Sequence, residues 1–284
     1  MNLLKLKQLL EVFFIEDIGE RDVTSDTLFV EDERGTLTFL AKEKGIFSGS
    51  DVVKTGFSLL DEDVFIEFFV EDGEEFEAGC TLVSITGNMA ALLKGERVVL
   101  NLVQRMSSIA TASRQACTIL EGTKTKACDT RKTTPGLRML EKYAVRSGGA
   151  FNHRYGLYDA VMIKDNHISF AGSITKAVEI AKSKLGHTVK IEVETESAEQ
   201  VREAVAAGAD IIMFDNRTPE EIAELVKLVP APIVTEASGG ITLNTLALYR
   251  ETNVNFISLG CLTHSVRALD ISAKVMECEE VTTA

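Results

Sequence analysis

The spacing of apolar residues changes along this chain and divides it into regions. MNLLKLKQLLEVFFIEDIGERD, at the N-terminus, predicts an amphipathic first helix; its apolar stretch is too short, and turns acidic too soon, for a signal peptide or a membrane span. TLTFLAKEKGIFSGS (36–50) and VFIEFFVEDGEEFEAGCTLVSITGN (64–88) are apolar runs broken by Gly and Asp turns, which predicts strands and hairpins. From Met89 to Glu121 apolar residues recur every three or four positions, the period of a helix.

A regular alternation follows. Short β-rich runs recur as KTKACDT (124–130), DAVMIKDN (159–166), VKIEVET (189–195), DIIMFDN (210–216), PIVTEASGG (232–240) and VNFISLG (254–260), with helical segments between them. Two of those helices carry start signals. Ser197 with Gln200 fits a capping box, and Thr218, Pro219 and Glu221 supply an N-cap, a first-turn proline and a second box. Strands alternating with helices imply consecutive βα units and a parallel sheet. The expected fold class is therefore α/β. An N-terminal α/β domain (1–106) precedes an open, incomplete parallel α/β barrel of about six strands (107–265). A closing helix over 266–284 would return to the N-terminal domain, and a doubly wound sheet is the structural alternative.

Composition narrows the function. The 284 residues are 45% hydrophobic and 26% charged, which is ordinary for a soluble globular protein. A formal net charge of −13 opposes general binding to nucleic acid or anionic membranes. Cys80, Cys117, Cys128, Cys261 and Cys278 show neither CxxC nor metal-ligand spacing and read as reduced thiols of a cytoplasmic protein.

Against this acidic background, residues 129–167 reverse the sign. Arg131, Lys132, Arg138, Lys142, Arg146, His153, Arg154 and Lys164 place eight cationic side chains in under forty residues. Arginine offers a planar fork to carboxylate or phosphate and lysine a compact charge, so the block suits a small polyanionic substrate.

The carboxyl ends of the expected strands carry the rest of the chemistry. Thr130, Arg131 and Lys132 end the first, and Lys164 ends the second ahead of Asp165, Asn166 and His167. Glu192 and Glu194 share one face of the third, and Asp215 ends the fourth. Ser238-Gly239-Gly240 and Leu259-Gly260 end the last two. Late glycine loops of βα-barrels bind phosphate through backbone N–H groups, and nearby carboxylates suit a hydrated Mg²⁺ shared with substrate phosphates. Singly, each feature has a plainer reading: a tight turn, a solvated lysine, a structural pair of acids. Their coincidence at successive strand ends favours a site. His187 has no such context and reads as a surface residue.

The run TRKTTPGLRMLEKYAVRSGGAFNHRYGLYD…IKDNH closely resembles the signature of the quinolinate phosphoribosyltransferase family. The likeness extends to IEDIGERDVTSD, GERVVLNLVQRMSSIAT (95–111), IEVET (191–195), MFDN (213–216), EASGGI (236–241) and GCLTHS (260–265). The resemblance implies an enzyme that joins quinolinate to phosphoribosyl pyrophosphate (PRPP) in NAD biosynthesis, releasing pyrophosphate and CO₂. It implies Mg²⁺ bound with PRPP, no organic cofactor, and a homodimer or hexamer of dimers. Arg97, in the GER motif, would be supplied to the neighbouring subunit, although Arg105 is a second arginine close by. Quinolinate contacts would fall to Arg131, Lys132, His153, Arg154 and Lys164, with Thr130 beside them. Glu194 and Asp215 would face the ribose hydroxyls and Mg²⁺; with Lys164 they form the expected catalytic set. Ser238, Gly239, Gly240, Ser258, Leu259, Gly260 and His264 would take the phosphate of the phosphoribosyl group.

Ser147, Ala150 and Cys261 depart from the family pattern, each a small residue for a small one. The alternatives are molybdenum-transport relatives of the same fold, nicotinate phosphoribosylation without decarboxylation, a Schiff-base aldolase using Lys164, and a non-enzymatic ligand-binding or scaffold protein.

Overall fold

The computed structural model describes residues 1–29 and 33–276, so Cys278 lies outside the described residues. It divides into two compact units. The first comprises residues 1–111, 139–148 and 266–284, and the second comprises 112–138 and 149–265. Among the described residues no helix is long and apolar enough to cross a membrane.

In the first unit, α1 (Leu3–Ile18) starts at Asn2, whose side chain accepts the Lys5 N–H. It buries Leu6, Leu10 and Phe14, a period-3.6 stripe, and α2 (Ser25–Leu28) follows. A four-stranded antiparallel sheet is built from β1 (Arg34–Ala41), β3 (Phe65–Phe68), β5 (Thr81–Asn88) and β12 (Ile271–Met276), in the order β12-β1-β5-β3. The short β2 (Gly45–Ile46) and β4 (Glu75–Phe76) pair separately. Helix α3 (Ser50–Leu60) packs on α1, with Phe57 6.4 Å from Phe39 of the sheet. The long α4 (Met89–Ile119) begins in this unit and ends in the second.

The C-terminal segment corrects an expectation. Where a closing helix was expected over 266–284, Ile271–Met276 is a strand whose residues pair with Thr36–Ala41 of β1. Among the described side chains of this strand only Ile271 is buried, and it is the pairing with the edge of β1, rather than a clear alternation in ISAKVM, that makes the segment a strand.

Helix α5 (Arg138–Ser147) is a second departure, since residues 139–148 cluster with the first unit although they lie within the expected barrel span 107–265. Arg105 holds buried Glu141 through Nη2 (2.7 Å) and Nε (2.9 Å). Tyr143 donates its hydroxyl to Asp72 (2.6 Å), whose other oxygen accepts the Gly49 and Ser50 N–H groups at the start of α3. Ser147, where the family pattern has cysteine, hydrogen-bonds Ser48 at 3.1 Å.

The second unit holds the six expected strands: β6 (Lys126–Cys128), β7 (Val161–Ile163), β8 (Ile191–Thr195), β9 (Ile211–Asp215), β10 (Val234–Ser238) and β11 (Phe256–Ser258). All are parallel, in the order β6-β11-β10-β9-β8-β7. The first strand lies against the last, as barrel closure requires, and no reversal of strand order marks a doubly wound sheet. β6 and β7 do not pair. An isolated bridge from Cys128 to Phe151 is the extension on that side, so the barrel is open.

Helices α6 (Asp165–Ala171), α7 (Ile174–Lys184), α8 (Ala198–Ala207), α9 (Pro219–Leu225) and α10 (Cys261–His264) connect or follow these strands. The Thr218–Glu221 capping box forms as the sequence predicts. Ser197 caps α8, but Gln200 turns back to the N–H of Glu196 rather than to Ser197. Val193, Ile212, Phe214, Ala237 and Ile257 are fully buried at alternate strand positions, and α7 and α8 pack on β8 and α8 also on β9. Burying a side chain such as Phe214 contributes roughly 1.5–3 kcal/mol. The opposite parity carries Met162, Glu192, Glu194, Met213, Asp215, Glu236, Ser238 and Ser258 to the other face. That parity puts polar chemistry inside the barrel.

Candidate active site

Those inward positions and the loops beyond them enclose a cavity of about 580 Å³ within the second unit. Thr130, Arg131, Lys132, His153, Arg154 and Lys164 line its cationic side, and Glu194 and Asp215 its acidic part. Ser238, Gly239, Gly240, Ser258, Gly260 and His264 line the remainder. Two expected residues are not among the lining. Leu259 is fully buried, and its N–H is already bonded to the Cys128 carbonyl (2.8 Å), so it serves the sheet. Arg97 belongs to the first unit, where its side chain is 60% exposed and 3.5 Å from Glu96. Arg105, the second arginine considered for that role, is committed to Glu141.

The loop after β6 is fixed by its neighbours. Lys132 donates its N–H to Thr130 Oγ1 (3.0 Å), and Thr263 donates its hydroxyl to the Lys132 carbonyl (2.7 Å). Gly260 packs closely here: a Cβ would lie 3.0 Å from Lys132 Cδ and from His264 Nε2, and those side chains would have to shift by a few tenths of an ångström. Buried Asp129 accepts the His153 backbone N–H and the Asn152 side-chain amide, each at 2.8 Å, joining the β6 loop to the loop before β7.

His153 Nδ1 accepts the Arg154 N–H at 2.8 Å, and Nε2 lies 3.1 Å from Glu192 and 3.5 Å from Glu236. Arg154 donates to the Ala160 carbonyl (3.0 Å). Burial, and then repulsion from Arg131, lowers its pKa from the ordinary guanidinium value. Arg131 is thus near enough to act on Arg154 electrostatically, an arrangement suited to an anion. Asp159 closes the loop by accepting the Tyr155 and Gly156 N–H groups at 2.6 and 3.0 Å. Burial works to raise the Asp159 pKa, but these hydrogen bonds outweigh it and the net shift is downward.

On the acidic side Lys164, at the N-cap of α6, is ion-paired with Glu194 of β8. The Asn216 side-chain amide donates to the Asp215 carboxylate, and Asn216 itself sits at φ +53° with its N–H on the Ser238 carbonyl (2.9 Å). Gly239 makes this packing feasible. Its φ is +97°, and a Cβ would fall 2.2 Å from Asn216 Oδ1. Gly240 follows at φ +65°.

Sequence reasoning missed several lining residues: Met162, Met213, Asn216, Ile241, Thr242 and Cys261. Met162 and Met213 share strand parity with Lys164 and Asp215, a signal that was available, and give the cavity apolar wall suited to a flat ring. Burial raises the Cys261 thiol pKa, against a reactive thiolate.

The fold and cavity define an open-barrel α/β enzyme site for a small polyanion. Residues 22–107 match the family model "Quinolinate phosphoribosyl transferase, N-terminal domain", and residues 109–274 match that of the C-terminal domain. The chain belongs to the quinolinate phosphoribosyl transferase family. It is 56% identical to the probable nicotinate-nucleotide pyrophosphorylase [carboxylating] of Bacillus subtilis, over 97% of this chain and 95% of that protein. Its identity to the Synechocystis protein of the same description is 43%, over 94% and 91%. Among solved structures it resembles the nicotinate-nucleotide pyrophosphorylase of Francisella tularensis (TM-score 0.92, 36% identity, 97% and 98% covered). The NadC structure from Streptococcus pyogenes is equally similar (TM-score 0.93, 36% identity, 98% of both chains).

Proposed function

We propose that this chain transfers the phosphoribosyl group of PRPP to quinolinate and decarboxylates the product, giving nicotinate mononucleotide, pyrophosphate and CO₂. The observation that carries this reading is one cavity lined together by cations, by the carboxylates of Glu194 and Asp215, and by the left-handed Gly239 and Gly240. Quinolinate is a dianion and PRPP is strongly negative, so the two reactants repel. Arg131, Lys132, Arg154 and Lys164 offset that repulsion. The pyridine nitrogen attacks the anomeric carbon as pyrophosphate leaves, and no protein nucleophile is needed. The alkylated ring is then an electron sink for loss of the adjacent carboxylate as CO₂; the electron pair left on that ring carbon takes a proton from water to give the product. Thus the protein's work is orientation and electrostatics.

Lys164, lodged against Glu194, stands at the reacting ring. Glu194 and Asp215 address the ribose hydroxyls, while Ser238, Gly239, Gly240, Ser258, Gly260 and His264 take the phosphate. The hard oxygen donors of Glu194 and Asp215 fit Mg²⁺; these two residues would hold the ion together with PRPP, and it would supply charge neutralisation for the departing pyrophosphate. Arg97, exposed on the first unit, is the residue a partner subunit would receive in a homodimer. The chain's acidic composition argues against nucleic-acid or anionic-membrane partners, its unpatterned cysteines suit the cytoplasm, and the family likeness implies no organic cofactor.

The test is incubation of the purified protein with PRPP and Mg²⁺ and either quinolinate or nicotinate, with chromatography of the product. Nicotinate mononucleotide from quinolinate alone is the expected result. Product from neither, with the fold intact, would overturn the reading.

A further inference from the structure

Beneath the cationic side of the cavity lies a buried group that the proposed chemistry does not use. Glu192 of β8 and Glu236 of β10 have side chains only 2% and 6% exposed, and both face Nε2 of His153. The facing atoms of all three residues lie within 4.8 Å of one another. Because Nδ1 of His153 accepts the Arg154 N–H, the ring proton is on Nε2, and one N–H faces two carboxyl groups. Glu192 is the nearer at 3.1 Å, while Oε1 of Glu236, at 3.5 Å, is buried without a hydrogen-bond partner.

Two ionised carboxylates in this position would be costly in two ways. Each is withdrawn from water, and together they oppose the anion seat formed by Arg131 and Arg154. Every element around Glu236 bears on its charge. Burial, then Glu192 on β8, then Asp129 beyond β6 disfavour ionisation, whereas His153 and Ser258 on β11 favour it. Met213, its neighbour on β9, is uncharged. The balance pushes the Glu236 carboxyl up to about 7.

We propose that Glu236 is a positioning residue carried as a neutral carboxylic acid, which with Glu192 clamps the His153 imidazole while leaving one negative charge, not two, beneath the anion seat. The clamp fixes the ring tautomer and, through Nδ1, the backbone of Arg154. Loss of the Glu236 proton adds a second negative charge under the seat and weakens binding of a dicarboxylate from above. This consequence rests on the phosphoribosyl-transfer reading; the buried proton itself does not.

Difference infrared spectroscopy of the full chain across pH about 6 to about 9 tests the proton directly. The expected result is a protonated-carboxyl band that fades through neutrality and is missing in Glu236→Gln. Kinetics test the consequence. Glu236→Gln should lose the alkaline rise in KM for quinolinate, while Glu192→Gln raises that KM about tenfold or more. KM for PRPP should follow neither change. Absence of the band in the wild type would overturn the proposal. So would an alkaline rise that persists in Glu236→Gln, or a stoichiometric metal ion on the purified protein held by these three side chains. An inactive protein that still shows the band would instead defeat the transferase reading.

Discussion

The buried carboxylate of Asp129 receives the backbone N–H of His153 at 2.8 Å, tying the loop that carries Arg131 and Lys132 to the loop that carries Arg154. Both halves of the cationic wall therefore depend on one side chain. Asp129→Ala strands the donors of His153 and Asn152, and the expected loss of stability is about 2–4 kcal/mol. Urea denaturation should show it, together with a rise in KM for quinolinate larger than that for PRPP. Equal effects on the two substrates would contradict the assigned role.

Arg131→Ala should weaken quinolinate binding far more than PRPP binding, because truncating one member of a desolvated charge pair costs roughly 2–5 kcal/mol. Titration calorimetry with each ligand separately checks this. Matching losses would remove Arg131 from the quinolinate site.

Gly239→Ala places a Cβ at 2.2 Å from Asn216 Oδ1 and strains a backbone at φ +97°. Displacing Asn216 also disturbs Asp215, whose carboxylate it holds. The expected outcome is at least a tenfold loss of kcat/KM for PRPP with a smaller change for quinolinate, for a strain of about 1–3 kcal/mol. Steady-state kinetics with each substrate varied would reveal it.

Asp159 predicts an acid-sensitive loop. Its net pKa lies below the ordinary 3.8, as the Tyr155 and Gly156 N–H groups outweigh burial. The stabilisation is therefore full above that ordinary value and is lost as pH falls through the lower folded one. Limited proteolysis after Tyr155 to Tyr158 should accelerate in strong acid with an acid-active protease. In Asp159→Asn the cleavage should be fast at all pH values.

Arg97 offers a test of assembly. If its exposed side chain completes a partner's site, mixing inactive Arg97→Ala and Lys164→Ala subunits restores part of the activity through hybrid sites. Failure to recover, with subunit exchange verified, would return Arg97 to its own subunit or exclude it from the site.

The barrel was legible because its strands are apolar runs separated by capped helices, as at Thr218–Glu221. Most of the cations and glycines that line the cavity were legible because they follow those runs directly; His153 and Arg154, in the loop before β7, were legible only from the charge of residues 129–167. Less local features were hidden. Ile271–Met276 has no clear alternation to outweigh a helical reading of the whole tail, and only the edge of β1 makes it a strand. Residues 139–148 read correctly as a helix, but their allegiance to the first unit depends on Arg105 and Asp72, far away in sequence. Glu236 looked like an ordinary part of EASGG; its importance comes from Glu192 and His153, which only the folded sheet brings near. Leu259 misled for the opposite reason, since adjacency to Gly260 says nothing about which way a side chain or N–H points.

The central claim is that one cavity joins quinolinate to PRPP and then decarboxylates the adduct. The most direct measurement uses quinolinate labelled in the carboxylate next to the ring nitrogen, with PRPP and Mg²⁺, following labelled CO₂ and pyrophosphate together. The account predicts equal amounts of both, and no CO₂ without PRPP. Pyrophosphate release without labelled CO₂, or CO₂ release without PRPP, would contradict it.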